Sequence, residues 1–276
     1  MRVRYSFSSR RTRKIDNIRK QKQEYPKIVE KIISESDIIL EVLDSRFITE
    51  TQNKEIEKLI SKKNKKIIFV LNKADLIDKE KIKKSQLKEL IPYVFVSSLE
   101  RNGSRKLRDL IKQEAGKIKN KDKKTIGIIG YPNTGKSSLI NLLIGKSSAG
   151  VGSDAGYTKG MQKLKLTSEI ILLDTPGVIP QKKYSNIQKD KIAQHVIVGG
   201  RSYSQVKDPE MVIAQIIETY PNLLEKHYKI KAKGDSEILI EELGKKLNLL
   251  KKGGIVDVDK TARKILRDWQ RGEIRV

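Results

Sequence analysis

An α/β fold with a mostly parallel sheet, followed by a smaller all-helical C-terminal domain, is predicted by three observations. Short apolar runs recur along the chain: IILEVL (38–43), KIIFVL (66–71), PYVFV (92–96), TIGIIG (125–130) and EIILLD (169–174). Stretches with helical spacing and a polar face separate them, near 53–62, 79–90, 104–118 and 136–145. Beyond about Asn186 such runs stop, and helical patterns follow near 207–219, 236–250 and 259–270, with Gly253 and Gly254 as a break. Continuous apolar runs of this length read as buried strands. Their alternation with helices implies right-handed crossovers on a sheet covered on both faces. Ligands of such sheets sit beyond the carboxyl ends of the strands, so chemistry is sought just after each run.

A chain of 276 residues accommodates two domains on the usual size prior. The organisation read from the sequence is a basic arm over 1–22, an α/β domain over 23–188 and a helical domain over 189–276. The arm carries nine Lys or Arg against one acid, Asp16. It reads either as a solvated tail or as an RNA-contacting segment that orders on binding. Lys and Arg number 59 against 34 acids, a net charge of +25. Such an excess favours a polyanionic partner through counterion release. A lysine-rich surface set by genome composition or a hot habitat is the plain alternative. Sign alone does not separate nucleic acid from an anionic membrane.

There is no cysteine, which excludes disulfides and thiolate metal sites, and with two histidines, His195 and His227, a zinc centre is not expected. The N-terminal stretch lacks the apolar core of a signal peptide, and no run of about 18 apolar residues occurs. A cytoplasmic protein is expected.

GYPNTGKSS (130–138) follows the fourth run and opens a helix, the context that G-x-x-x-x-G-K-[ST] requires. Gly130 and Gly135 let backbone N–H groups face phosphates, aided by the helix N-terminus. Asn133, Thr134, Gly135, Lys136, Ser137 and Ser138 are its expected nucleotide contacts. Lys136 reaches the β- and γ-phosphates and Ser137 ligates Mg²⁺. DTPG (174–177) follows the fifth run. There Asp174 holds Mg²⁺ through water, and the N–H of Gly177 approaches the γ-phosphate; taken alone, Asp-x-x-Gly is also a common turn.

NKAD (72–75) follows KIIFVL and reads the base. The Asp75 carboxylate accepts from the N1–H and exocyclic amine of guanine, a donor pair that adenine lacks, so ATP is penalised by an unpaired buried charge. The stem of Lys73 covers the base, and Asn72 ties this loop to the phosphate loop. Ser97 and Ser98 end the third run, where a backbone N–H can meet the guanine oxygen; a plain turn is the alternative. AGVGSDAGYTKG (149–160) holds Thr158, a switch threonine for Mg²⁺ when a γ-phosphate is present, or else a threonine in an ordinary loop.

The order of these blocks, guanine-reading first and phosphate-binding second, resembles the YlqF/YawG family of circularly permuted GTPases, in an archaeal-like variant. SDIILEVLDSRF (36–47) resembles the family's Asp-Ala-Arg strand end, and DWQRGEI (268–274) the end of its helical tail. The resemblance implies a Ras-like P-loop GTPase domain, circularly permuted, with a helical RNA-contacting domain at its C-terminal side. It implies GTP and GDP as ligands, Mg²⁺ as cofactor and Lys136, Thr158 and Gly177 as catalytic positions. The implied partner is ribosomal RNA of the large ribosomal subunit or its precursor, bound by a monomer, with no membrane involved. Val178 stands where a glutamine would orient water, so intrinsic hydrolysis is expected to be slow. Asn133 matches the asparagine of potassium-activated relatives, which implies K⁺ there. Bacterial members begin with a motif holding a histidine, and this N-terminus has none. The two histidines are expected to be structural, and Trp269 a core anchor of the last helix.

Overall fold

The computed structural model describes residues 29–119, 121–145, 162–174 and 189–275. For Lys81, Gln162, Asp174 and residues 189–192 only the backbone is described. Residues 29–35 are helical (α1) and lead into β1 (Ile38–Asp44), whose seven residues are all buried. Then come α2 (Ile48–Thr51), α3 (Lys54–Lys62), β2 (Lys66–Asn72), α4 (Lys84–Lys88), β3 (Tyr93–Phe95), α5 (Ser104–Gly116), β4 (Lys124–Gly130) and α6 (Lys136–Ile144). The sheet is completed by β5 (Gln162–Lys165) and β6 (Ile170–Asp174).

The six strands lie in the order β3-β2-β1-β4-β6-β5. Every pairing is parallel except that of β5 with β6. Register aligns Asp44 with Asn72 and Val42 with Gly130, so three strand ends that carry motifs or adjoin them finish at one edge of the sheet. One face packs Leu107 and Ile111 of α5 and Leu139, Ile140 and Leu143 of α6 against Leu40, Val70 and Ile128. On the other face α1 and α3 cover Ile39 and Ile129, while Ile48 and Leu90 cover Leu43 and Phe69. Covering on both faces is why these strands read as continuous apolar runs.

From residue 189 on, the described chain is helical: α7 (Lys189–Ile197), α8 (Pro209–Thr219), α9 (Leu223–Tyr228), α10 (Ser236–Lys246) and α11 (Val258–Arg271). Pro209 sits in the first turn of α8, and Asp235 and Asp257 cap α10 and α11 through their carboxylates. Gly272, at φ 80°, ends α11. The apolar cluster of these helices includes Phe47 and Tyr131, which belong to the sheet's own loops, so sheet and helices share one core. Among the described residues no helix is long and apolar enough to cross a membrane.

Some expected elements differ. The helix expected over 79–90 is a single 3₁₀ turn, Lys79–Lys81, followed by the short α4. Ile82 is extended between them, because Lys79, Lys81, Lys83 and Lys84 crowd like charge onto a stretch with few apolar anchors. The helix expected to reach residue 250 stops at Lys246, where Asn248 takes a left-handed conformation at φ 54° and Leu250 turns back to bridge Val256. β5 was not anticipated, nor were α1, α2, α7 and α9.

Candidate nucleotide-binding site

The phosphate loop is built at the junction of β4 and α6. Gly130 has φ 155° and a Cβ there would collide with the carbonyl of Val42; Gly135 has φ 91° and a Cβ there would collide with the amide of Asn72. Only glycine meets both demands. Asn133, at φ 59°, completes the turn. The Thr134 hydroxyl donates to the Tyr131 carbonyl at 3.0 Å, and the Lys136 ammonium, buried, donates to the carbonyls of Gly130 (3.1 Å) and Tyr131 (2.9 Å). Ser137 and Ser138 follow in the first turn of α6, whose N-cap Gly135 supplies no side-chain cap, and a helix N-terminus is an end that anions favour.

The NKAD loop (72–75), expected to read guanine, is tied to it by Asn72. Its Nδ2 donates to the Thr134 carbonyl at 2.8 Å, while its Oδ1 accepts from the backbone N–H (3.2 Å) and hydroxyl (2.9 Å) of Ser98. One buried side chain thus holds three predicted segments together. Lys73 takes φ 60°, and its ammonium meets Asp44 at 2.8 Å. Asp75 lies in a 3₁₀ turn (Ala74–Leu76), and its Oδ1 is buried with no hydrogen-bond partner. A buried acceptor left open fits a ligand that brings its own donors, as the guanine edge does. The N–H of Ser97 pairs with the Asn102 carbonyl at 3.1 Å and that of Ser98 with Asn72, so both act as struts of the loop here.

β6 carries the Asp174 backbone beside β4 on the sheet. Ser137, in the first turn of the helix that follows β4, and Asp174, whose backbone ends β6, are residues with oxygen donors of the kind Mg²⁺ takes. Among the described residues no cluster of three or more His, Asp or Glu forms a metal centre. Thr158, Gly177 and Val178 lie outside the described residues.

Several contacts that join the loops to the helices had not been anticipated. Asn133 Nδ2 donates to the Gly199 carbonyl at 2.9 Å, and the Tyr131 hydroxyl meets His195 Nδ1 at 2.7 Å. Gly200 lies so close that a Cβ would stand 2.7 Å from that hydroxyl. His195, expected to be structural, therefore touches the phosphate loop. Trp269 is fully buried, and its Nε1 donates to the Ile197 carbonyl at 2.8 Å, the anchor role expected of it. DSRF at the end of β1 was the one local signal for Asp44 and Arg46, and it named no role.

A family model described as "50S ribosome-binding GTPase" matches residues 125–242. An uncharacterized GTP-binding protein of Methanocaldococcus jannaschii is 40% identical over 263 residues, covering 93% of this chain and 68% of that protein. Nucleolar GTP-binding protein 2 of Neurospora crassa is 35% identical, covering 88% of this chain and 40% of its own length. GTPase grn1 of Schizosaccharomyces pombe is 30% identical, with 91% and 60% covered. The chain therefore spans roughly half the length of these eukaryotic relatives. The fold matches GNP-bound YlqF of T. maritima at a TM-score of 0.61 and 24% identity, covering 91% of this chain and 94% of that one.

Proposed function

The chain belongs to the YlqF-like family of circularly permuted GTPases, and from this premise we propose that it binds GTP and hydrolyses it slowly to GDP and phosphate, as a switch in assembly of the large ribosomal subunit. The observation that carries the reading is the convergence made by Asn72, which holds the guanine-reading loop and the phosphate loop in one site. The open Oδ1 of Asp75 supports guanine as the base. In the bound state Lys136 would exchange the loop carbonyls it now meets for phosphate oxygens, and Ser137, Asp174 and Thr158 would hold Mg²⁺. Mg²⁺ supplies charge neutralisation on the phosphates. The N–H of Gly177 would meet the γ-phosphate.

Partner and place follow from the relatives and the charge. The family model's description names the 50S particle, two relatives are named nucleolar or GTPase, and the net charge of +25 suits ribosomal RNA. A soluble, cytoplasmic monomer that reads GTP through its sheet and RNA through residues 189–276 fits these. Sedimentation of cell extract with a GTP analogue, with GDP and without nucleotide tests it. The protein should travel with large-subunit particles in the analogue lane and leave them with GDP; equal distribution in all three lanes would sink the switch. A second reading, a GTP-dependent RNA-binding module with negligible turnover, is favoured by Val178. Multiple-turnover kinetics with and without large-subunit particles separates the two.

K⁺ belongs to this proposal as well. The Asn133 amide nitrogen is engaged by Gly199, which leaves its oxygen as the end that a cation would meet. Hydrolysis is expected to be faster in K⁺ than in Na⁺ by about tenfold, which corresponds to about 1.4 kcal/mol of barrier. Identical rates in the two salts would remove K⁺ from the mechanism.

A further inference from the structure

β1 ends in a buried charge cluster that reaches the NKAD loop through Lys73. Asp44 is 1% exposed. Its Oδ1 accepts from the Arg46 backbone N–H (3.1 Å) and Nε (3.0 Å), and its Oδ2 from Arg46 Nη2 (2.9 Å) and the Lys73 ammonium (2.8 Å). Burial alone would push the Asp44 carboxyl up, but the charges of Arg46 and Lys73 and their hydrogen bonds hold it well below the usual carboxylate range.

Each cation also reaches elsewhere. Lys73 is part of the guanine-reading loop. Arg46 turns its remaining Nη1 to the Trp269 carbonyl, 3.1 Å away in the last turn of α11, and its guanidinium stands 4.9 Å from the Phe47 ring centre and 5.5 Å from that of Trp269. A planar fork can hold a carboxylate on one side and a carbonyl on another, which an ammonium cannot do in the same geometry. The same helix end touches both guanine loops by other means. Gly272 packs so tightly on Leu76 that a Cβ would fall 2.6 Å from Leu76 Cδ1, and Arg275 pairs with Glu100 at 3.7 Å.

We propose that Arg46 is a positioning residue for the guanine site, setting Lys73 through Asp44 and linking nucleotide binding to the seating of the last turn of α11 through the Trp269 carbonyl. The proposal rests on the reading above that Lys73 covers the guanine base. Linkage is reciprocal: whatever factor the seated helix adds to nucleotide affinity, bound nucleotide adds to the seating.

Trp269 is the single tryptophan of the chain, so its fluorescence reports the helix end directly. The test uses the full chain, a fluorescent GDP titration and acrylamide quenching of Trp269 with and without GDP. In the wild type GDP should lower the quenching. Arg46→Lys should weaken GDP by roughly tenfold, within the usual range of couplings, and abolish the GDP-dependent change. It should weaken inosine diphosphate equally, since Lys73 covers the ring and does not read the 2-amino group. Lys73→Met cuts the same link at its other end and carries the same loss of the quenching response, should the Arg46 variant fail to fold. A wild type that binds no GDP overturns the nucleotide reading and the link with it. A chain that binds GDP, with both the affinity and the quenching response kept in either variant that folds, overturns the link alone.

Discussion

On the proposed reading Asp75 selects the base through its carboxylate, whose Oδ1 is buried and without a partner. Replacing it by the amide in Asp75→Asn puts a donor where guanine also presents donors, and should weaken GDP by at least about 100-fold. Xanthosine diphosphate, which carries a carbonyl in place of the 2-amine, should gain in the same variant. Titration of both nucleotides checks this; an unchanged preference would mean that Asp75 does not face the base. Glu41, buried on β1, follows a different logic. Its Oε1 accepts from the Asn53 N–H at 3.0 Å and its Oε2 has no partner. Burial, and next the charge of Glu57, push its carboxyl from 4.5 to about 8 against the pull of that N–H. Below 4.5 both states hold the proton and its stabilisation is complete. As pH rises towards 8 the unfolded chain gives the proton up first, so stability falls, by at most about 1.4 kcal/mol per pH unit. Glu41→Gln should flatten that fall, read as urea midpoints across neutral pH. Parallel profiles in the two proteins would place the titration elsewhere.

Among the elements, β4 and α1 meet at a contact with no spare room. A Cβ on Gly127 would collide with the Ser36 hydroxyl and stand 2.9 Å from both Ile32 Cγ2 and Ile39 Cδ1. Gly127→Ala should therefore cost about 1–3 kcal/mol by overpacking. Gly116→Ala, at the open end of α5 with nothing within 4 Å, should be neutral or gain up to about 1 kcal/mol. The denaturant midpoints decide, and equal shifts would show that space at Gly127 is not the constraint. How far each element was legible follows from similar local facts. β1, β2, β4 and β6 announce themselves because both of their faces are buried. β5, with the sequence QKLK, lies at the sheet edge and carries no apolar run. GYPNTGKSS and NKAD stand out in the sequence because each is contiguous. Arg46 and Trp269, by contrast, are 223 residues apart, and Tyr131 and His195 are 64 apart. No spacing rule spans such distances, so the contacts between loops and helices could be seen only in three dimensions.

For the molecule as a whole, the question is whether sheet and helices unfold as one body. Phe47 and Tyr131 are buried in the helical cluster, Asn133 is bonded to Gly199, Arg46 to Trp269, and Leu76 lies under Gly272. Losing the helices would expose those apolar side chains and leave Arg46 Nη1 without its acceptor. Losing the sheet would open the cluster that Phe47 and Tyr131 complete. Each part thus holds surface that the other needs covered, which favours a single cooperative transition. Two probes can read it, because Trp269 lies in the helices and a bound fluorescent GDP would lie on the sheet. Heated together, Trp269 emission and nucleotide release should share one midpoint. GDP at about 100 times its Kd should raise stability by about 2.7 kcal/mol on both probes. Were nucleotide to leave at a lower temperature while Trp269 stayed buried, the sheet's loops would be opening on their own, and the shared core would not be what binds the two parts into one cooperative unit.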